Sequence, residues 1–479
     1  MPLILGTNSI KDTGFNVANS LRFNDDSSDS LERTQGTATS RRKFTLSTWL
    51  KRGNLTGSFQ FFASSYNSSN DRIGFYFNSD DTLAVFARNS SGTTLSRQTT
   101  AKFRDTSAWY HVVYRIDTTH GNASDRARMY VNGVQITSFQ STGDPSQNYD
   151  LELGTSSYTF YVGTYDNSQY FFDGYMAETV FLDGADHDAS FFGEFDSDSP
   201  TIWKPKDVSS LTFGNNGFYL NVPGPSTGQN SNGLGGDSSG NGNHFASSNL
   251  SAVDQSTDTC TNNFATMNPL DNYYASSTFS EGNTKIVTDA SAKASNTSTF
   301  GISSGKWYCE IKAVQIYNGY AQFGIKGKAP TSTTDGVGDG TDGYAYTASG
   351  GNKVNNGSAT SYGTVWNNND IIGIAIDLDN NKLYFSRNGG WQNSGDPTSG
   401  STGTGAAFSL GTPSSGAYYI ATSDGDTSGG SANTYEFNFG NPPYSISSGN
   451  SDANGHGNFD NAVPSGYFAL CTKNLAEFG

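Results

Sequence analysis

The sequence predicts an all-β protein of two β-sandwich domains joined by a Gly/Ser/Asn-rich connector, and three observations carry that prediction. Helix formers are scarce, while 56 Gly, 26 Tyr and 32 Phe stand among 479 residues of which only 15% are charged. That balance favours turns and aromatic strands over helices. Apolar runs are short, and each ends in a turn cluster at the spacing expected of a sandwich. The chain is also long enough for two or three separate cores.

The first domain is expected over 21–191, after an N-terminal segment of residues 1–20. It opens at Ser20-Leu21-Arg22-Phe23 and continues through runs at 44–50, 59–62, 73–77 and 83–86, punctuated by Asn-Ser, Asp-Asp and Ser-Gly. Two strands of one sheet follow within 103–133. Trp109, His111 and Val113 alternate there with Tyr110, Val112 and Tyr114, the period-two pattern of a strand with two distinct faces. Asn132-Gly133 closes a tight hairpin because both residues tolerate positive φ. Trp109 and Tyr130 are expected to fill the sandwich core, where aromatic rings supply most burial. Tyr161-Val162-Gly163 and the run 172–184 close the domain. The pair W-Y-H-V-V and Y-V-N-G, with F-D-G-Y-M-A-E-T-V-F-L-D-G, resembles the laminin-G-like, concanavalin-type jelly roll in the form found in adhesion proteins of bacterial viruses. Function follows from that resemblance by analogy.

Over 192–274 the pattern loosens into a connector with one or two strands. Trp203, Phe218, Tyr219, Phe245 and Phe264 give it anchors for ordered packing. The second domain is expected over 275–479. Alternation returns at Trp307-Tyr308-Cys309-Glu310 and Tyr320-Ala321-Gln322-Phe323, and 366–389 reads as strand, tight polar turn and returning strand. Asn369-Asp370-Ile371-Ile372-Gly373 through Asp377, then Leu383-Tyr384-Phe385-Ser386-Arg387-Asn388-Gly389, resembles the SPRY, or B30.2-like, domain. That family's pattern is G-D-x-I-G-x-x-x-D followed by L-x-F-x-x-N-G, so Asn369 stands where Gly is usual. The resemblance covers about 300–439 and implies a second sandwich. The tail 464–471 reads as one last strand or docking segment.

Charge and cysteine content narrow the function classes. A net charge of −16 spread along the chain opposes binding to nucleic acid phosphates or an anionic membrane. Cys260, Cys309 and Cys471 are too scattered for a disulfide framework or metal cluster. The start, Met1-Pro2-Leu3-Ile4-Leu5-Gly6, lacks the basic region of a secretory signal, and no run is apolar for long enough to form a membrane-spanning helix. The sequons Asn54-Leu55-Thr56 and Asn67-Ser68-Ser69 read as Asn/Ser-rich loops, and no heptads announce a coiled-coil shaft.

Several groups of residues merit testing as sites. Asp237, Ser239, Asn241 and Asn243 place oxygens at positions one, three, five and seven, with Gly242 at six, like the first half of a calcium loop. Ser248 stands where the bidentate acid belongs, and the same residues also make a plain Asx/Gly turn. Asp377, Asp379 and Asn381 repeat the alternation at a hairpin apex, where the turn explains them. Asp335, Asp339 and Asp342 with Tyr344 and Tyr346 form an acidic loop beside aromatics, the composition of a glycan rim, and Asp424-Gly425-Asp426 forms a second acidic loop. Glu194-Phe195-Asp196 begins the E-x-D-x-x-E pattern of retaining glycosidases, but Ser199 replaces the last acid and Pro200 opposes a central strand. His111 reads as a packed sheet residue, and His120, His187, His244 and His456 fall in separate polar segments.

The pairing of the two domains, with the low-cysteine, Gly/Ser/Asn-rich and acidic composition, resembles structural or tail-fibre-like proteins of tailed bacteriophages, particularly marine ones, and that resemblance implies a non-enzymatic structural protein. A tail-fibre or adhesion component that binds host-surface glycans comes first, with calcium as the only cofactor suggested. A capsid or tail decoration that binds other virion proteins is the alternative, and a glycan-degrading enzyme ranks last. The expected location is the surface of the virion. Exposed sheet edges leave a homo-oligomer open.

Overall fold

The computed structural model describes residues 14–55, 57–317, 320–425 and 432–479 and falls into two compact units, one ending at Thr261 and the other running from Asn262 to Gly479. Residues 1–13 of the expected N-terminal segment, Thr56 of the first sequon and Asp426 of the second acidic loop lie outside the described residues.

The first unit is a sandwich of two eight-stranded antiparallel sheets. One sheet runs Val134–Gln135, Ala127–Val131, Trp109–Asp117, Lys43–Arg52, Gly174–Asp183, Ser20–Phe23 and Gln255–Ser256, with Phe218–Leu220 also paired to Gly174–Asp183. The other runs Phe139–Gly143, Gly92–Lys102, Thr82–Asn89, Asp71–Phe77, Gln60–Ser68, Thr159–Val162, Ser30–Thr34 and Ala246–Ser248. Asn132 (φ 47°) and Gly133 (φ 79°) make the expected hairpin, which pairs Val131 with Val134. Phe44, Leu46 and Leu50 meet Phe62, Phe75, Phe77 and Val85 between the sheets.

The expected core aromatics lie on the other face. Val112, Tyr114 and Ile116 point between the sheets, so Trp109, His111 and Val113 point outward. Tyr130 packs there with Phe192, Val208, Phe213 and Tyr219, and Trp109 is only half-buried. Alternation defines two faces but not which of them meets the opposing sheet.

Residues 192–261 are no connector. They hold five short strands, three of which extend the two sheets, and Phe218, Leu220, Val222, Leu234, Phe245 and Leu250 join the same inter-sheet core. Two buried ion pairs fasten the end of the segment: Lys51 Nζ lies 2.7 Å from Asp258 Oδ2, and Arg22 Nη2 lies 3.2 Å from Asp254 Oδ1. These partners stand 207 and 232 residues apart in the chain, beyond the reach of local pattern reading. Similarly, Phe264, Ala265 and Met267 belong to the cores of the second unit, so the expected boundary at 274 moves back to 261.

The second unit is also a sandwich. Its nine-stranded sheet runs Thr278–Ser280, Lys285–Val287, Thr434–Asn438, Lys306–Gln315, Ile371–Asp377, Lys382–Arg387 and Gly390–Trp391, with two short additions. Its six-stranded sheet runs Ser295–Thr297, Tyr419–Asp424, Ala321–Lys326, Gly343–Thr347, Asn352–Asn355 and Ser358–Ser361. The hairpin read from 366–389 pairs Ile372 with Arg387 and Asp377 with Lys382. Asn369, where the family pattern has Gly, has φ 68°, a left-handed conformation that Gly takes without strain and that Asn tolerates better than most other residues. The tail forms the short strand Phe468–Ala469, parallel to Lys306–Gln315, and then a helix, Thr472–Phe478, which the sequence reading did not foresee. All three cysteines are free thiols.

Candidate functional site

The outer face of the second sheet in the first unit carries an aromatic cleft. In Asp71–Phe77, Ile73, Phe75 and Phe77 turn to the core, which leaves Arg72, Gly74 and Tyr76 on the opposite face. Neighbouring strands continue the rows across that face: Tyr66 pairs with Arg72 and Arg72 with Arg88, Ser64 with Gly74 and Gly74 with Phe86, Phe61 with Tyr76 and Tyr76 with Ala84. The register shifts between Phe61 and Ala63, and this bulge lets Phe62 enter the core while Phe61 faces out.

Gly74 is the floor. A Cβ there would stand 2.3 Å from the Phe61 ring and 3.0 Å from Phe86, so any other residue would push the rings apart. Phe61 stacks on Tyr76 with centroids 4.5 Å apart at 14° and meets Tyr165 at 4.7 Å. The loop after Thr159–Val162 brings Tyr165, Gln169 and Tyr170 over one side. Tyr170, in left-handed backbone at φ 59°, accepts the Phe61 amide through its carbonyl and leaves its ring 38% exposed beside Phe59. The resulting cleft holds about 360 Å³ and is lined by Phe59, Phe61, Tyr66, Ser69, Arg72, Tyr76, Phe86, Tyr165, Gln169 and Tyr170.

Burial pushes the Tyr165 hydroxyl up to about 12 and raises that of Tyr76, so both rings stay neutral phenols and hydrogen-bond donors. Rings at the floor and wall with Arg72, Gln169 and phenolic hydroxyls among them suit a ligand that has an apolar face and polar edges, which is the chemistry of a sugar ring. None of these residues was singled out from sequence. The available signal was that the runs 59–62, 73–77 and 83–86 are apolar or aromatic on both faces, which a single core does not require.

The second unit has a cleft of about 650 Å³ lined by Ile316, Ala348, Ser349, Gly350, Val365, Trp366, Asn367 and Asn368. Val365 is 47% exposed at its rim, and Asn368 Oδ1 accepts the Ile316 amide at 2.7 Å.

The sequence-derived glycan rim is taken apart by the structure. Tyr344 and Tyr346 share the inward face of Gly343–Thr347 and pack in the core at 5% and 0% exposure, so neither offers a ring to a sugar. The Y-A-Y spacing that suggested a platform is the spacing of a core strand. Asp335 pairs with Lys326 and accepts the Thr331 amide; burial opposes ionisation, but these partners outweigh it and hold the carboxyl low. Asp339 pairs with Lys293 at 2.7 Å, and Asp342 accepts the Ser414 amide at 3.0 Å. Asp424 is a buried strand residue bonded to Asn433.

Asp237, Ser239, Asn241 and Asn243 do come together, as a turn. Asp237 accepts the amides of Tyr219, Ser239 and Asn243 and the Ser239 hydroxyl, and Asn241 and Asn243 both donate to the Gly217 carbonyl. Asn243 Oδ1 takes the Arg33 guanidinium, a cation where calcium would need to bind. The donor set does not suit calcium, and among the described residues no three His, Cys, Asp or Glu side chains converge as metal ligands. Glu194 lies on a two-stranded ribbon outside both main sheets, and Asp196 directly follows its first strand, Gly193–Phe195. Lys204, 3.0 Å away, and the amides of Ser199 and Asp198 hold Asp196 low, the opposite of a general acid. His111 is buried between Trp49 and Trp203 and bonded to Ser47, as a packed sheet residue.

Comparison with known proteins matches these two units. Residues 25–188 fit the laminin G type model of the concanavalin A-like lectin/glucanases superfamily, and residues 306–440 fit the SPRY domain model. The chain is 40% identical over 91 residues to an E3 ubiquitin-protein ligase, RKP, of Arabidopsis thaliana, a stretch that is 18% of this chain and 7% of that protein. It is also similar to the crystal structure of the SPRY domain of human HERC1, with 16% identity and a TM-score of 0.28 over 36% of this chain and 96% of that one. The chain thus carries a concanavalin A-like laminin G domain over residues 25–188, followed by a SPRY domain over residues 306–440.

Proposed function

We propose that this chain is a non-catalytic adhesion component of a bacteriophage particle, whose laminin G domain binds host-surface glycans in the aromatic cleft around Gly74. The observation that carries the reading is the set of rings on the solvent face of a sheet whose other face already fills a core. Packing between the sheets makes no use of Phe61, Tyr76, Phe86 and Tyr165; Phe61 and Tyr165 are buried against their neighbours at 4% and 7% exposure, so the half-buried Tyr76 and Phe86 and the exposed Tyr170 are the rings left to a ligand. The SPRY domain, an interaction module in general, serves in this reading to hold the chain to other virion proteins. The acidic, cysteine-poor, Gly/Ser/Asn-rich composition accords with a particle-surface location. Shallow contacts give weak single-site affinity, and attachment arises from several copies on one particle.

The test is binding of the purified chain to intact host cells and to a glycan array. Saturable binding that free host polysaccharide competes away supports an adhesin. Binding to purified particles with no binding to cells or sugars supports the decoration reading instead.

A further inference from the structure

We propose that the cleft selects acidic saccharides, those bearing a carboxylate or a sulfate, through the guanidinium groups of Arg72 and Arg88. The inference rests on the glycan-binding reading above and adds the charge of the ligand to it.

Arg72 lines the cleft, and Arg88, directly opposite it in register on the neighbouring strand, stands on the same face of the sheet beside the cleft and outside its lining. Like charges in that position repel, and a sheet gains nothing from them unless an anion lies between. Among the described residues neither forms an ion pair, although carboxylates are plentiful in a chain of net charge −16. Asp166, in the loop that covers the cleft, is tied to Ser168 and Gln169 at 2.7 and 3.0 Å.

Arg72 itself is fixed and underused. Its guanidinium carbon lies 5.6 Å from the ring centres of both Phe86 and Tyr165, which hold the plane by cation–π contact. Its Nε and Nη1 are buried with no hydrogen-bond partner. A buried donor without an acceptor is unfavourable; Nε and Nη1 lie on different edges of the guanidinium and each makes a fork only with Nη2, so an oxyanion that takes Nη2 together with one of them gives that donor its acceptor. A pyranose stacked on the rings would present an acidic substituent at its edge to that fork. A neutral sugar would supply only hydroxyls and leave the repulsion between the arginines uncompensated.

The experiment titrates the intact chain with polygalacturonate, dextran sulfate, neutral dextran and an oligothymidylate, at low and high salt, for wild type, Arg72→Gln, Arg88→Gln and Tyr170→Ala. Wild type is expected to bind at least one acidic polysaccharide about tenfold or more tightly than dextran. Polygalacturonate ahead of dextran sulfate assigns a carboxylate ligand, and the reverse order a sulfate. Arg72→Gln and Arg88→Gln should each remove the preference for the acidic polymer, and Tyr170→Ala should weaken all the polysaccharides. Arg88 is exposed, so its variant keeps the test alive should Arg72→Gln fail to fold. Equal binding of acidic and neutral polymers, lost in Tyr170→Ala, would overturn the charge selection while the glycan reading stands. Silence with every polysaccharide would overturn both, and preference for the oligothymidylate would reassign the cleft to single-stranded nucleic acid.

Discussion

The ring of Phe61 lies across Gly74 so closely that a Cβ on Gly74 would stand 2.3 Å from it. Two residues on adjacent strands thereby set the depth of the cleft, because Phe61 can stack on Tyr76 only while position 74 is bare. Gly74→Ala should displace Phe61, destabilise the domain by about 1–3 kcal/mol as overpacking does, and weaken glycan binding. Urea denaturation followed by tryptophan fluorescence gives the first quantity, and titration with the bound glycan gives the second. Unchanged binding would mean that the stack is not the binding surface.

Asp258 joins the end of the first unit to its centre. Its carboxylate holds Lys51 at 2.7 Å and the indole N–H of Trp109 at 3.2 Å, and neither charged side chain is more than 1% exposed. Removing one partner of a buried pair leaves an uncompensated charge, so Asp258→Ala should destabilise the first unit by about 3–5 kcal/mol. A loss below about 1 kcal/mol, the range of an exposed pair, would show that residues 246–261 contribute little to this sandwich.

His111 should stay neutral far below the ordinary histidine range. The Trp203 indole can only donate, so its 2.9 Å contact makes Nδ1 an acceptor, and the ring proton resides on Nε2, which donates to Ser47 Oγ at 2.8 Å. Burial drives the group down to about 3. The unfolded chain binds the proton near 6.5, so the stability this residue contributes is complete above that pH and is lost as pH falls from 6.5 towards 3. Nitrogen NMR of the imidazole should show the Nε2–H tautomer unchanged between pH 7 and pH 4.5. A midpoint near 6.5 would contradict the burial.

At the SPRY hairpin, Asn369 holds φ 68° before Asp370, whose carboxylate accepts from Arg387 at 2.8 Å and from Asn388 at 2.7 Å. Asn369→Gly should leave the melting temperature equal or higher, whereas Asn369→Val should cost about 1–2 kcal/mol by forcing a β-branched residue into left-handed backbone. Thermal unfolding of the three chains distinguishes the outcomes.

Both sandwiches were legible because their signals are local. Asn132-Gly133 needs only its own φ angles to close a hairpin, and 369–389 carries a strand, a turn and a strand within one short window. The reach of the first domain was not legible: Ser256 pairs with Ser20 and Asp258 with Lys51 across most of the unit, through strands of two or three residues that leave no periodicity. The candidate site failed for a related reason. Tyr344 and Tyr346 lie next to an acidic loop in sequence and were grouped with it, yet alternation turns both into the core. The cleft that forms instead draws Phe61, Arg72 and Phe86 from three strands and Tyr165 and Tyr170 from a distant loop, and only the sheet register brings them together.

The most direct test of the central claim is a glycan-array and host-cell binding comparison of the wild-type chain with Tyr170→Ala, whose ring is exposed and whose loss leaves the core intact. The account predicts specific wild-type binding that falls about tenfold or more in the variant, the scale of a lost stacking contact. Equal binding by both proteins, or binding by neither, would contradict it.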